Sequence, residues 1–96
     1  MERATIKDII VESIRRYKPS LIGLFGSYAR NEHREDSDID ILVSFKDSIS
    51  LLGLIQLENE LTEKLGKKVD LVTEGAIVNE RLRSNIFTDL QIIFQA

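Results

Sequence analysis

Residues 38–45, Asp-Ile-Asp-Ile-Leu-Val-Ser-Phe, alternate in side-chain character, and this alternation restricts the fold more than any other stretch of the chain. Successive side chains of an extended strand point to opposite faces. Asp38, Asp40, Leu42 and Ser44 therefore share one face, and Ile39, Ile41, Val43 and Phe45 share the other. The second face is continuously apolar and must be buried. The two carboxylates consequently point out of the core, towards a site. The chain needs a sheet to hold this strand and apolar elements to cover one side of it.

The flanking sequence supplies both. Residues 4–17 carry Ile6, Ile9, Ile10, Ile14 and Tyr17 at the spacing of an amphipathic helix. Pro19 ends that helix, because the residue before a proline is driven out of the helical region. Residues 21–25 suit a buried strand, which Gly26-Ser27 interrupts; residues 27–30 fit a short helical turn and 31–37 a polar loop. Ser48 or Ser50 can cap the next helix. Its apolar stripe is read as Leu51, Leu54, Leu61 and Leu65, with Gln56, Asn59, Glu60 and Glu63 opposite and Gly66 just past its end. Residues 69–72 predict a strand, 77–86 a helix with Val78, Leu82 and Ile86 on one side, and 90–94 a last strand. The order helix, strand, strand, helix, strand, helix, strand predicts an α/β (α+β) class fold, a mixed sheet flanked by helices. With 96 residues, the expectation is one domain spanning 1–96.

Composition narrows the chemistry. Without cysteine there are no disulfides or thiolate metal sites, and a single histidine excludes a His-rich centre. The net charge of −3 argues against a dedicated nucleic-acid binder, which needs a basic face. No apolar run approaches the roughly 20 residues of a membrane span. The N-terminal segment is amphipathic rather than an apolar leader core, so the expected address is the cytoplasm.

What remains is oxygen-ligand chemistry. Asp38 and Asp40 at i and i+2 repel each other unless a cation lies between them, and Mg²⁺ prefers carboxylate and phosphate oxygens. Asp-x-Asp alone is more often a solvated strand face. Gly26-Ser27 shifts the balance: after an apolar strand and at the mouth of a short helix, it lets backbone N–H groups approach an anion closely. Ser27 adds a hydroxyl, and Arg30 can present a fork of donors to phosphate. The bland reading of Gly26-Ser27 is an ordinary capped turn; a phosphate cradle followed by a metal-binding pair is a more demanding coincidence.

Gly26-Ser27-x₁₀-Asp38-x-Asp40 resembles the signature of the DNA polymerase β-like nucleotidyltransferase superfamily. The length, and the runs Gly-Ser-Tyr-Ala-Arg and Ser37-Asp38-Ile39-Asp40-Ile41-Leu42-Val43, look like its minimal nucleotidyltransferase (MNT) branch. The resemblance implies a third carboxylate on a following strand, and Asp70 in Lys67-Lys68-Val69-Asp70-Leu71-Val72 stands where it should be. It also implies the roles. Asp38 and Asp40 would bind the metal that grips the triphosphate of ATP. Asp38, Asp40 and Asp70 would share a second Mg²⁺, and Asp70 is a candidate proton acceptor. Gly26 and Ser27 would hold the β- and γ-phosphates, with Arg30 offsetting their charge. MNT proteins typically pair with a HEPN-domain ribonuclease toxin, so the resemblance implies an antitoxin that transfers AMP to a tyrosine of its HEPN partner within a hetero-oligomer. Two rival functions stay open: a module that neutralises the toxin by contact alone, and a small-molecule nucleotidyltransferase whose acceptor is bound by a separate subunit.

Other residues carry weaker signals. His33 reads as a solvated loop residue beside Arg34. Arg81 and Arg83 read as solvent-face charges that could reach a phosphate or an acidic partner, and Lys67-Lys68 as a solvated strand end. Tyr17 and Tyr28 fit core and rim equally. Leu52 is either a scattered surface leucine or part of an oligomer contact.

Overall fold

The computed structural model describes residues 3–30, 37–77 and 79–96. The loop holding His33 and Arg34, and Val78, lie outside the described residues. The elements are α1 (Arg3–Arg15), β1 (Pro19–Phe25), α2 (Gly26–Ala29), β2 (Ile39–Phe45), α3 (Leu51–Leu65), β3 (Val69–Thr73), a 3-10 turn (Glu74–Ala76), α4 (Glu80–Asp89) and β4 (Gln91–Gln95). The strands form one mixed sheet in the order β3-β2-β1-β4. β1 is antiparallel to both of its neighbours, and β2 is parallel to β3 across the α3 crossover.

One sheet face is the apolar one. Ile22 and Leu24 of β1, Ile39, Ile41 and Val43 of β2, and Val69 and Leu71 of β3 form a core with Ile6, Ile10 and Ile14 of α1 and Leu57, Leu61 and Leu65 of α3. Tyr28 is fully buried in that core and Tyr17 packs at its margin. The α1 stripe is as expected. Its end is tighter than expected: α1 stops at Arg15, Lys18 takes a left-handed conformation (φ 58°), and Pro19 opens β1 two residues before the predicted start. A proline at the first residue of a strand costs the sheet little, since its missing N–H is the outermost one.

The α3 stripe needs correction. Leu51 is 74% exposed, and Leu57, absent from the expected stripe, is fully buried. The buried positions Leu57, Leu61 and Leu65 continue from the partly buried Leu54 at a three- or four-residue spacing. The helix ends behave as read. The Ser50 hydroxyl accepts from the Gly53 N–H at 3.0 Å, and Gly66 closes the helix at φ 67°. In α4, Leu82 is exposed and Ile86 is buried, and the helix begins at Glu80, where Asn79 caps it, rather than at 77.

The second face is not purely polar either. Leu42, expected to face the site with the aspartates, is fully buried outside the main core cluster. It lies beside Gly23, and a Cβ on Gly23 would meet Leu90 Cδ1 at 2.4 Å. Leu90 thus seats directly on the β1 backbone, at the junction of α4 and β4, while α4 itself packs on β1 and α2. The carboxylate end of this face is what α4 and its junction leave open.

Candidate active site

Asp38, Asp40 and Asp70 come from the N-terminal ends of β2 and β3. Asp38 immediately precedes β2 and is half-buried. In the parallel pairing, Ile39 stands opposite Val69, Asp40 opposite Asp70 and Ile41 opposite Leu71. With Val69 and Leu71 buried in the core, Asp70 emerges beside Asp40 on the other face. The two carboxyl groups are hydrogen-bonded to each other. Burial, then the negative charges of Asp70 and Asp38, push the Asp40 carboxyl up to about 6, and Arg30 acts in the opposite direction. Two carboxyl groups can share such a bond only when one of them holds a proton.

The turn between β1 and α2 closes over this pair. Gly26 has φ +71°, and a Cβ added there would lie 2.3 Å from Asp40 Oδ2. The backbone therefore passes against the Asp40 carboxylate in a conformation and at a distance only glycine allows. No side chain caps the start of α2. The first N–H groups of a helix have no partner within it, so the Gly26-Ser27 turn presents donors beside the carboxylates. Ser27 is half-buried in that first turn.

Arg30 sits at the end of α2. Its Nη1 donates to Asp89 Oδ2 of α4 at 2.6 Å, and both side chains are partly exposed. Sequence reasoning missed Asp89. The partners are 59 positions apart, and an isolated acidic residue at a helix end gives no local sign of a partner. All six expected site residues thus gather at one end of the sheet. Among the described residues, no group of three His, Cys, Asp or Glu side chains is arranged to hold a metal ion as it stands. Asp40 and Asp70 stand side by side in the sheet, and the charges of Asp70 and Asp38 both act on the Asp40 carboxyl. This is a crowded carboxylate set that a hard cation would relieve, and its oxygen donors suit Mg²⁺. Arg81 and Arg83 are exposed on α4. Arg83 pairs with Glu74 at 3.2 Å, as the sequence allowed for an acidic partner.

The polymerase beta nucleotidyltransferase family matches residues 6–96. A protein of Methanocaldococcus jannaschii, provisionally named a protein adenylyltransferase, is 52% identical over 75 residues, covering 78% of this chain and 76% of the relative. A toxin–antitoxin complex solved with AMP-PNP contains a chain that superposes with a TM-score of 0.83 at 28% identity, over 94% of this chain and 73% of that one. The complex of a tri-AMPylated Shewanella oneidensis HEPN toxin with its MNT antitoxin gives a TM-score of 0.80 at 26% identity, over 99% and 74%. No helix among the described residues is long and apolar enough to cross a membrane. Enzymes of this family generally use a nucleoside triphosphate and a divalent metal. With the mixed sheet, the Gly26 turn over Asp40 and the family match spanning all but the first five residues, the chain belongs to the polymerase beta nucleotidyltransferase family, in its minimal branch.

Proposed function

We propose that residues 1–96 act as one protein adenylyltransferase domain. It moves AMP from ATP to a tyrosine hydroxyl of a cognate HEPN-domain ribonuclease and so serves as its antitoxin, in the cytoplasm and within a hetero-oligomer. The observation that carries this reading is the in-register placement of Asp40 and Asp70 on one sheet face beneath the Gly26 turn. Chains of the same fold occur in a complex with AMP-PNP and in a complex with an AMPylated HEPN toxin, which supports the nucleotide and the partner.

Asp38, Asp40 and Asp70 would hold Mg²⁺, two ions in the full arrangement, and the metal would supply positive charge at the phosphates and make the attacking hydroxyl more acidic. The Gly26 and Ser27 backbone donors and the Ser27 hydroxyl hold the β- and γ-phosphates. Asp70 accepts the proton of the tyrosine hydroxyl as its oxygen bonds to the α-phosphorus. The bond from that phosphorus to the bridging oxygen breaks, and pyrophosphate leaves. Arg30 offsets the phosphate charge, exchanging Asp89 for the nucleotide.

The exchange has a measurable consequence. Asp89→Ala is expected to strengthen ATP binding by up to about fivefold, because an exposed ion pair of at most about 1 kcal/mol no longer competes for Arg30. Calorimetric titration with Mg²⁺ and a non-hydrolysable ATP analogue checks this; weaker binding would mean that Asp89 positions Arg30 for the nucleotide rather than competing with it. The test of the function itself is intact-mass measurement of a cognate HEPN-domain protein after incubation with the chain, ATP and Mg²⁺. The expected result is the added mass of one or more AMP groups on tyrosine. An unmodified HEPN protein under saturating ATP would refute the transfer reading.

A further inference from the structure

At the opposite ends of β2 and β3 from the carboxylates lies an open cavity of about 810 Å³. Its walls include Val43, Ile49 and Leu54, and its polar side is built by Ser44, Glu74 and Arg83. The Ser44 hydroxyl donates to Glu74 Oε2 at 2.5 Å, and Arg83 closes on Glu74 Oε1 at 3.2 Å. Arg83 also lies over the Phe87 ring, 5.0 Å from its centroid. The first turn of α3 adds Leu51 to the cavity wall, with Leu52 and Ile55 exposed nearby on the same helix. An apolar surface of this kind, continuous with a built polar cluster, marks a contact site.

Resting on the adenylyltransferase reading above, we infer that this cavity docks the acceptor protein, taking an apolar side chain and a basic residue from the segment that flanks the modified tyrosine. Three observations select that occupant over the nucleotide. The charged lining is Asp47, Glu74 and Arg83, a net negative set that disfavours phosphate and suits a lysine or arginine. The exposed side chains of Leu51, Leu52 and Ile55 would stay wet around a small ligand, whereas a protein surface covers them. The spacing fits as well. Asp40 and Ser44 lie four residues apart on β2, so the cavity begins about 13 Å from the carboxylates. An extended acceptor segment spans that distance in about four residues, passing over the half-buried Val72 of edge strand β3. The anchor residue is therefore placed about four positions from the modified tyrosine.

Gly75 offers a clean test. It lines the cavity, its φ is not in the left-handed region, and nothing lies within 4 Å of a Cβ built on it. Gly75→Trp therefore places a bulky side chain at the cavity lining from a position where a Cβ meets nothing within 4 Å, and Leu51→Lys puts a positive charge at its rim, against the basic residue of the acceptor. Both variants should bind Mg²⁺ and a non-hydrolysable ATP analogue with wild-type affinity by calorimetry. Both should raise the KM for the cognate HEPN-domain protein at least tenfold, with kcat at saturation much less affected. They should also weaken complex formation with that protein by a similar factor. Wild-type KM and wild-type complex formation in both variants would overturn the inference. Loss of nucleotide binding in Gly75→Trp would overturn it too, by assigning the cavity to ATP. If the wild type binds the HEPN protein without modifying it, the transfer reading fails, and loss of that binding in the two variants still supports docking. If the wild type does not bind it at all, both readings fall.

Discussion

Asp40→Asn is expected to abolish nucleotidyl transfer while making the metal-free protein more stable above pH 6. The loss of activity follows from removing a charged ligand at the reacting phosphates, an interaction worth several kcal/mol; kcat/KM should fall at least about a thousandfold, or roughly 4 kcal/mol. The gain in stability follows from the raised carboxyl. Asp40 holds its proton up to about 6 in the folded protein, against an ordinary value of 3.8. A group whose folded pKa is raised stabilises the fold fully below its unfolded pKa, and that contribution disappears as pH rises through the folded one. Metal-free wild type should therefore weaken between about pH 4 and pH 7, and the asparagine variant should not. A fully shielded group would contribute roughly 3 kcal/mol. Solvent screening of this half-exposed carboxyl reduces the expected difference to about 1 kcal/mol. Thermal midpoints in chelator at about pH 4.5 and about pH 8 measure it. Mg²⁺ at the higher pH should raise the wild-type midpoint and leave the variant nearly unchanged. A variant less stable than wild type at the higher pH would show that Asp40 is held by favourable contacts instead of crowded by like charges.

Gly26→Ala should also damage activity, less severely and by another route. The residue has φ +71°, a conformation that costs a side-chain-bearing residue about 1–2 kcal/mol. Its new methyl would also arrive 2.3 Å from Asp40 Oδ2, so the carboxylate or the turn must move. A displacement of about 1 Å at reacting groups costs on the order of a hundredfold in rate. Gly66→Ala is the control: φ is +67°, but nothing lies within 4 Å of the added carbon. Gly26→Ala should lose at least as much stability as Gly66→Ala, and only Gly26→Ala should lose transfer. Equal activity in the two would separate the Gly26 turn from the reaction.

The parts of this molecule that were legible in the sequence are those written by local periodicity. The Ile6, Ile10 and Ile14 stripe and the alternation through Ile39, Ile41 and Val43 correctly place the core, and the same alternation brings Asp40 out on the other face. The resemblance to a known family placed Asp70, which lies opposite Asp40. What pattern could not show depends on how elements meet. Leu42 alternates with the aspartates yet is buried, because Gly23 and Leu90 make an apolar seat on that face. Leu51 sits at a plausible stripe position but one turn beyond the core, where only the orientation of α3 decides its fate. The Arg30–Asp89 and Ser44–Glu74 pairs join residues 59 and 30 positions apart, and nothing near either member announces the other.

The pairing of β2 with β3 also has a bearing on how the chain finds its fold. Side chains on a strand repeat every two residues, so sliding β3 by one position against β2 would exchange its faces. Asp70 would then enter the layer occupied by Val69 and Leu71, and those two would turn outward. An ionised carboxylate placed unpaired in that layer is prohibitively unfavourable. The neighbour-to-neighbour alignment of Asp40 and Asp70 is thus protected during folding by the residues on either side of Asp70. A parallel crossover of this kind must close its loop before any pairing stabilises it, and misaligned encounters are its natural hazard. Here the misaligned encounter excludes itself, and the acidic residue proposed for chemistry also polices strand alignment.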